Sequence, residues 1–169
     1  MKTISIELSE ASIQRAIAEI EEYKNSINHK LDLFMDRMAQ IGIDVVRTTM
    51  ESVPDEDRGS YYVEDIREPR GFAIRLTGDK ILFVEFGAGV IHSNPQNPKA
   101  AEMGFGVGTY NPKSGNAWNL VKWGGGWWYS DNGRSVHSYG NPAYMPMYKA
   151  DVEIMEKARS VAKEVFGSS

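Results

Sequence analysis

The chain has no cysteine among its 169 residues, which removes disulfides, thiolate metal sites and a thiol nucleophile together. The same absence fits a protein made in a reducing cytosol. Long apolar runs are missing as well. No stretch approaches the roughly 20 apolar residues that span a bilayer, and the opening segment from Met1 to Leu8 lacks the uninterrupted apolar core of an export signal. The expectation is a soluble protein with no membrane contact.

Charge of one sign is scarce too. Nineteen basic residues stand against 23 acidic ones, a formal charge of −4, with no block of five or more like charges. Phosphate neutralisation supplies most nucleic-acid affinity and needs a basic stripe. Tight DNA binding is therefore disfavoured, whereas passive contact with DNA along a channel wall is compatible. The three histidines, His29, His92 and His137, lie far apart without ligand spacing, so no metal site is expected. No cofactor is expected either. Gly104-Phe105-Gly106-Val107-Gly108 leads into Tyr110-Asn111-Pro112 rather than into a helix, so it fails as a phosphate-cradling loop. Ser135-Val136-His137 lacks the glycine elbow of a hydrolytic serine. No catalytic residue is assigned, and a small hydrolase built on His137 or Glu85 is disfavoured.

What is present reads as one α+β domain, residues 1–169, with 41% hydrophobic and 25% charged residues. Residues 1–53 hold a short strand at Ile4–Leu8 and then a long helix with Ser9 as its N-cap. Ile13, Ile17, Ile20, Ile27, Leu31, Phe34, Met38, Ile41 and Val45 keep a 3–4 spacing that gaps at Lys24. Asn25, Ser26, Asn28 and His29 have below-average helix propensity. Either one helix of roughly 60 Å or two with a bend near Asn25 follows. The apolar stripe exceeds what a small domain covers alone, so part of it is expected to meet another element or subunit.

Pro54 and the charged run Asp55–Gly59 end the helix. Residues 60–86 read as a small antiparallel sheet: Tyr61–Arg67 and Phe72–Thr77 flank a hairpin connection, and Ile81–Phe86 is the most apolar strand. Alternation there puts Glu85 on the face of Ile81 and Phe83. A carboxylate near buried surface needs donors. The backbone of Gly87, Ala88 and Gly89 and the charge of Arg70 or Arg75 are the candidates, making Glu85, Gly87 and Gly89 a structural clamp on the loop.

Residues 87–140 form an inserted loop or hairpin arm with 11 of the 16 glycines and all four tryptophans. His92–Asn116 reads as a long loop, and Trp118–Ser130 as a hairpin around Gly124-Gly125-Gly126. Trp123, Trp127, Trp128 and Tyr129 either pack over the sheet or, if exposed, serve a partner surface or stack on sugar. Residues 141–169 hold the closing helix, which Asn141-Pro142-Ala143-Tyr144-Met145-Pro146 leads into and Gly167 stops. Tyr144, Met145 and Met147 join the aromatic residues as interface candidates.

Taken in order, four features resemble one family. They are the long N-terminal helix, Phe83-Val84-Glu85-Phe86-Gly87-Ala88-Gly89, the aromatic segment with Trp127-Trp128-Tyr129, and Gly140-Asn141-Pro142-Ala143-Tyr144-Met145-Pro146-Met147-Tyr148. The family is that of the neck or tail-completion proteins of long-tailed bacteriophages, also described as head–tail joining or minor capsid proteins. The aromatic version is similar to those of phages or prophages of Gram-positive bacteria. The resemblance covers nearly the whole chain; the Ile4–Leu8 strand and the His92–Asn116 loop depart from it. It implies an α+β fold and self-association into a ring. It also implies a place in the virion between the connector or stopper and the tail tube or tail terminator, after a period in the host cytoplasm. DNA would pass through the lumen without specific binding, which mild acidity suits. The family carries no catalytic residues, and Glu85 and the glycines would be structural. The competing reading is a carbohydrate- or cell-wall-binding module that uses the tryptophan arm.

Overall fold

The computed structural model describes residues 9–69, 71–88, 97–103, 127–131, 133–138 and 140–167. The expected strand at Ile4–Leu8 lies outside them, as do Gly89, Trp123 and the Gly124–Gly126 turn.

Helix α1 runs unbroken over Glu10–Ser52, which decides between the two expectations for this segment. Ser9 starts it: its carbonyl accepts from Ser12 and Ile13, and its Oγ accepts from the Ser12 N–H at 3.3 Å. No glycine or proline interrupts Glu10–Ile41. The polar cluster at Asn25–His29 costs only about 0.5 kcal/mol per residue in propensity, too little to break a helix. Pro54 ends it by disfavouring helical geometry at Val53. Helix α2, Asp55–Arg58, is a single turn after that stop.

Strands β1, Tyr61–Glu68, and β2, Gly71–Gly78, form an antiparallel hairpin with Tyr61 opposite Gly78 and Glu68 opposite Gly71. Glu64 and Arg75 face each other across it at 3.5 Å. The segment Ile81–Phe86, expected as the most apolar strand of the sheet, is instead a short helix, α3. Six apolar residues do not reveal their period. In helical geometry Ile81, Val84 and Glu85 share one side, and all three are buried while Leu82 is exposed. Strands β3, Trp127–Asp131, and β4, Arg134–Ser138, make a second antiparallel hairpin. Residues 127–130 thus pair with the segment that follows them. Helix α4 closes the chain over Pro146–Gly167. The class is α+β as expected, but among the described residues the sheets are two separate hairpins.

The chain divides into two compact units, Met1–Met38 with Lys157–Ser169, and Ala39–Glu156. In the first, the rings of Phe34 and Phe166 lie 6.1 Å apart, and Arg37 pairs with Glu164 at 3.1 Å. The second holds the hydrophobic core: Ile43, Val46, Met50 and Val53 of α1 meet Val63, Ile81, Val84 and Ala150. A lone two-stranded hairpin is marginal in water, and here Val63, Ile74 and Leu76 anchor β1–β2 on that core.

Gly42 lets α1, the hairpin and α4 approach closely. A Cβ there would collide with Ile74 Cδ1 and would lie 2.7 Å from Ile154 Cδ1. Alanine would regain about 1 kcal/mol of helix propensity and push only against flexible side-chain ends. A larger side chain has no such offset. We expect Gly42→Leu to lower the unfolding free energy by about 2–3 kcal/mol in denaturant titrations; an unchanged midpoint would contradict this packing.

Candidate functional site

Two segments stand out in the sequence, around Glu85 and around Pro142–Met147, more than fifty residues apart. The fold brings them together. Helix α4 opens with Pro146 at its first position, where a missing N–H costs nothing. The residue before it, Met145, accepts the first helical hydrogen bond from Lys149, but its side chain offers no capping oxygen. Glu85 supplies what is missing. Its Oε2 accepts from the Met147 N–H at 2.8 Å and its Oε1 from the Tyr148 N–H at 3.1 Å. These are two of the donors that a helix N-terminus leaves open, and the helix dipole favours a negative charge there.

A third donor comes from the loop. Asn97, 4% exposed, donates from Nδ2 to Glu85 Oε1 at 2.7 Å and to the Glu85 carbonyl at 3.3 Å. Its Oδ1 accepts from the Lys99 N–H at 2.9 Å, so it holds its own turn while holding Glu85.

The backbone beside the carboxylate is tied in as well. The Val84 carbonyl accepts from Tyr144 and Met145. Ala88 and Asn141 exchange hydrogen bonds of 2.9 and 3.1 Å, and Asn141 Nδ2 donates to the Phe83 carbonyl at 2.8 Å. Gly87, at φ 76°, sits under this crossing. A Cβ on it would lie 3.0 Å from Ala143 N and 3.1 Å from the Asn141 carbonyl oxygen. Met145 has φ 59°, a conformation non-glycine residues rarely adopt.

Glu85 thus joins the start of α4 to the Asn97 turn, and the partners differ from those expected. Its donors are Met147, Tyr148 and Asn97; the Gly87 and Ala88 N–H groups bond the Phe83 and Asn141 carbonyls instead, and Arg75 is engaged with Glu64. Arg70 lies outside the described residues. Asn97 is not among the residues expected from the sequence. The Asn97-Pro98 pair is a turn signal, and a buried Asn in a turn is a natural partner for a lone carboxylate.

The interface candidates separate. Met145 is buried, and Tyr144 and Met147 pack on the core, so these three serve the chain's own interior. Burial, with Asp57 and Glu56 nearby, pushes the Tyr144 hydroxyl above its ordinary pKa. Trp128 is 68% exposed on β3, its ring 4.7 Å from that of His137. Trp127 and Tyr129 belong to the same strand.

At 6% exposure, Glu85 feels two opposing effects. Loss of water raises its pKa, and the hydrogen bonds from Met147, Tyr148 and Asn97, with the Lys149 charge, lower it. Burial prevails, and the carboxyl titrates above its ordinary range. Its hydrogen bonds engage both oxygens with backbone and amide donors, so its chemistry here is that of an acceptor.

No protein-family model matches the chain, and no curated protein or solved structure matches it either.

The clamp can be probed by substitution and by pH. Glutamine at position 85 turns one oxygen into a donor that faces another donor, so Glu85→Gln should cost about 2–3 kcal/mol of stability. Gly87→Ala combines an unfavourable φ with contacts to immovable backbone. It should cost about 1–3 kcal/mol, read as a lower urea midpoint. Because the folded chain keeps the Glu85 proton to higher pH than the unfolded chain does, it binds more protons between the two pKa values. Its stability then falls as pH rises through that window. The stability difference between wild type and Glu85→Gln should be largest below the ordinary glutamate range and shrink as pH rises through the raised value. A difference that grows with pH would reverse the assignment of burial as the dominant effect.

Proposed function

We propose that this chain is a non-enzymatic structural subunit of a long-tailed bacteriophage, a neck or tail-completion protein that forms a ring joining the DNA-filled head to the tail. One observation carries the reading. The Val84-Glu85-Phe86-Gly87 segment and the Asn141–Met147 helix entry, the sharpest parts of the family resemblance, meet in a single clamp. Two motifs that recur together in a structural family have a physical reason to do so when each completes the other's hydrogen bonding.

The rest of the molecule is compatible. Glu85 is committed to capping a helix, so its burial needs no catalytic explanation. Part of α1 leaves an apolar stripe exposed, which supports association with further protein surface. Its partners in this reading are further copies of itself, the connector or stopper on the head side, and the tail tube or tail terminator on the other. DNA passes without specific binding.

A second reading, a carbohydrate- or cell-wall-binding module, draws on the exposure of Trp128, because sugar faces stack on open aromatic rings.

The deciding experiment is electron microscopy of particles assembled with the gene for this chain deleted, together with mass spectrometry of purified wild-type virions. The expected result is tail-less heads or heads that leak DNA, and the chain present in intact virions. Normal tailed particles that lack the chain would defeat the virion reading. Glycan binding abolished by Trp128→Ala would favour the module instead.

A further inference from the structure

The first unit of the chain exposes a regular apolar face on α1. Ile13, Ile17, Ile20, Tyr23, Ile27 and Leu31 are 41–52% exposed. Except for Tyr23, these residues fall on two interleaved seven-residue series. One contains Ile13, Ile20, Ile27, Phe34 and Ile41, and the other Ile17, Lys24, Leu31, Met38 and Val45. A strict seven-residue repeat is the pattern of a left-handed coiled coil rather than of a helix lying on a sheet. Farther along the same stripe, Phe34 meets Phe166 of α4 and Met38 is buried. The exposed part is the run from Ile13 to Leu31, about 27 Å of helix.

We propose that this run pairs with the same run of a second copy of the chain, as a two-stranded antiparallel coiled coil with its two-fold axis at Glu22. Reversal about that point sets Ile13 against Leu31, Ile17 against Ile27, and Ile20 against Lys24. Each pair joins one seven-residue series to the other, the layer pattern that antiparallel coils require. The exposed run thus covers itself from end to end.

Charge selects this direction. In a parallel, in-register pair the two Lys24 side chains share one layer and repel. In the antiparallel pair each Lys24 lies beside Ile20 of the other copy, with Glu21 of that copy within reach of its ammonium. A polar residue at a single core position is the usual device for specifying register at some cost in affinity. The area is adequate but small: on the order of 500 Å² per chain, or about 1,000 Å² in total, the low end for a specific contact. The pairing is therefore weak and concentration-dependent, as suits a contact that other contacts reinforce.

This contact is tested without reference to virions. Sedimentation of the full chain should show a monomer–dimer equilibrium. Lys24→Leu should tighten it at least tenfold, and Ile20→Glu should abolish it without loss of helical circular dichroism. The absence of native cysteine allows a direct test of direction. A mixture of Ile13→Cys and Leu31→Cys chains should cross-link to each other under mild oxidation, and neither should cross-link readily to itself. Monomers throughout, for both wild type and Lys24→Leu, would overturn the proposal. So would preferential cross-linking of one Ile13→Cys chain to another, which reports a parallel pair.

Discussion

A single buried carboxylate organises the middle of this molecule. Three donors point at Glu85, and only a group that accepts in several directions and donates in none can meet them all. Its desolvation is unfavourable by several kcal/mol, and each charge-assisted hydrogen bond returns about 1.5–3 kcal/mol. The balance is close, which is why the group keeps a raised pKa yet remains the natural cap for α4. The start of the last helix and the Asn97 turn both bond to that one residue of α3.

The same clamp accounts for the unusual backbone next to it. Met145 at φ 59° carries strain of about 1–3 kcal/mol. It is held from several sides. Its N–H is directed at the Val84 carbonyl, the fixed ring of Pro146 follows, and its carbonyl begins α4. Gly87 crosses the same spot so closely that a methyl group would touch the Asn141–Ala143 backbone. The local geometry is tolerated because hydrogen bonds from two distant segments determine it jointly.

Much of the fold was legible in the sequence. Long periodic segments identify themselves, so α1, the β1–β2 hairpin and α4 were readable from spacing, and Ser9, Pro54 and Gly167 marked their ends. The helical state of Ile81–Phe86 was not readable, because six apolar residues fit two periods and the deciding contacts lie some sixty residues away. Glu85 stood out as a lone acid in an apolar run, which is a local signal. Its partners are two backbone N–H groups and an asparagine from a loop, none of which local pattern distinguishes. Tyr144, Met145 and Met147 looked like surface anchors for the same reason: an apolar helix entry reads alike whether it faces a partner or the chain's own core.

The bridge between Ala88 and Asn141 has a wider meaning for the architecture. Ala88 and Asn141 are held side by side, so the segment between them begins and ends at adjacent points. Closure entropy grows only logarithmically with the length of such an excursion. The length of that segment can therefore change at modest entropic cost. Among the described residues within it, Asn97 is tied to the clamp by its hydrogen bonds to Glu85. Insertions and deletions between those two points can accumulate while the paired backbone at Ala88 and Asn141 stays in register.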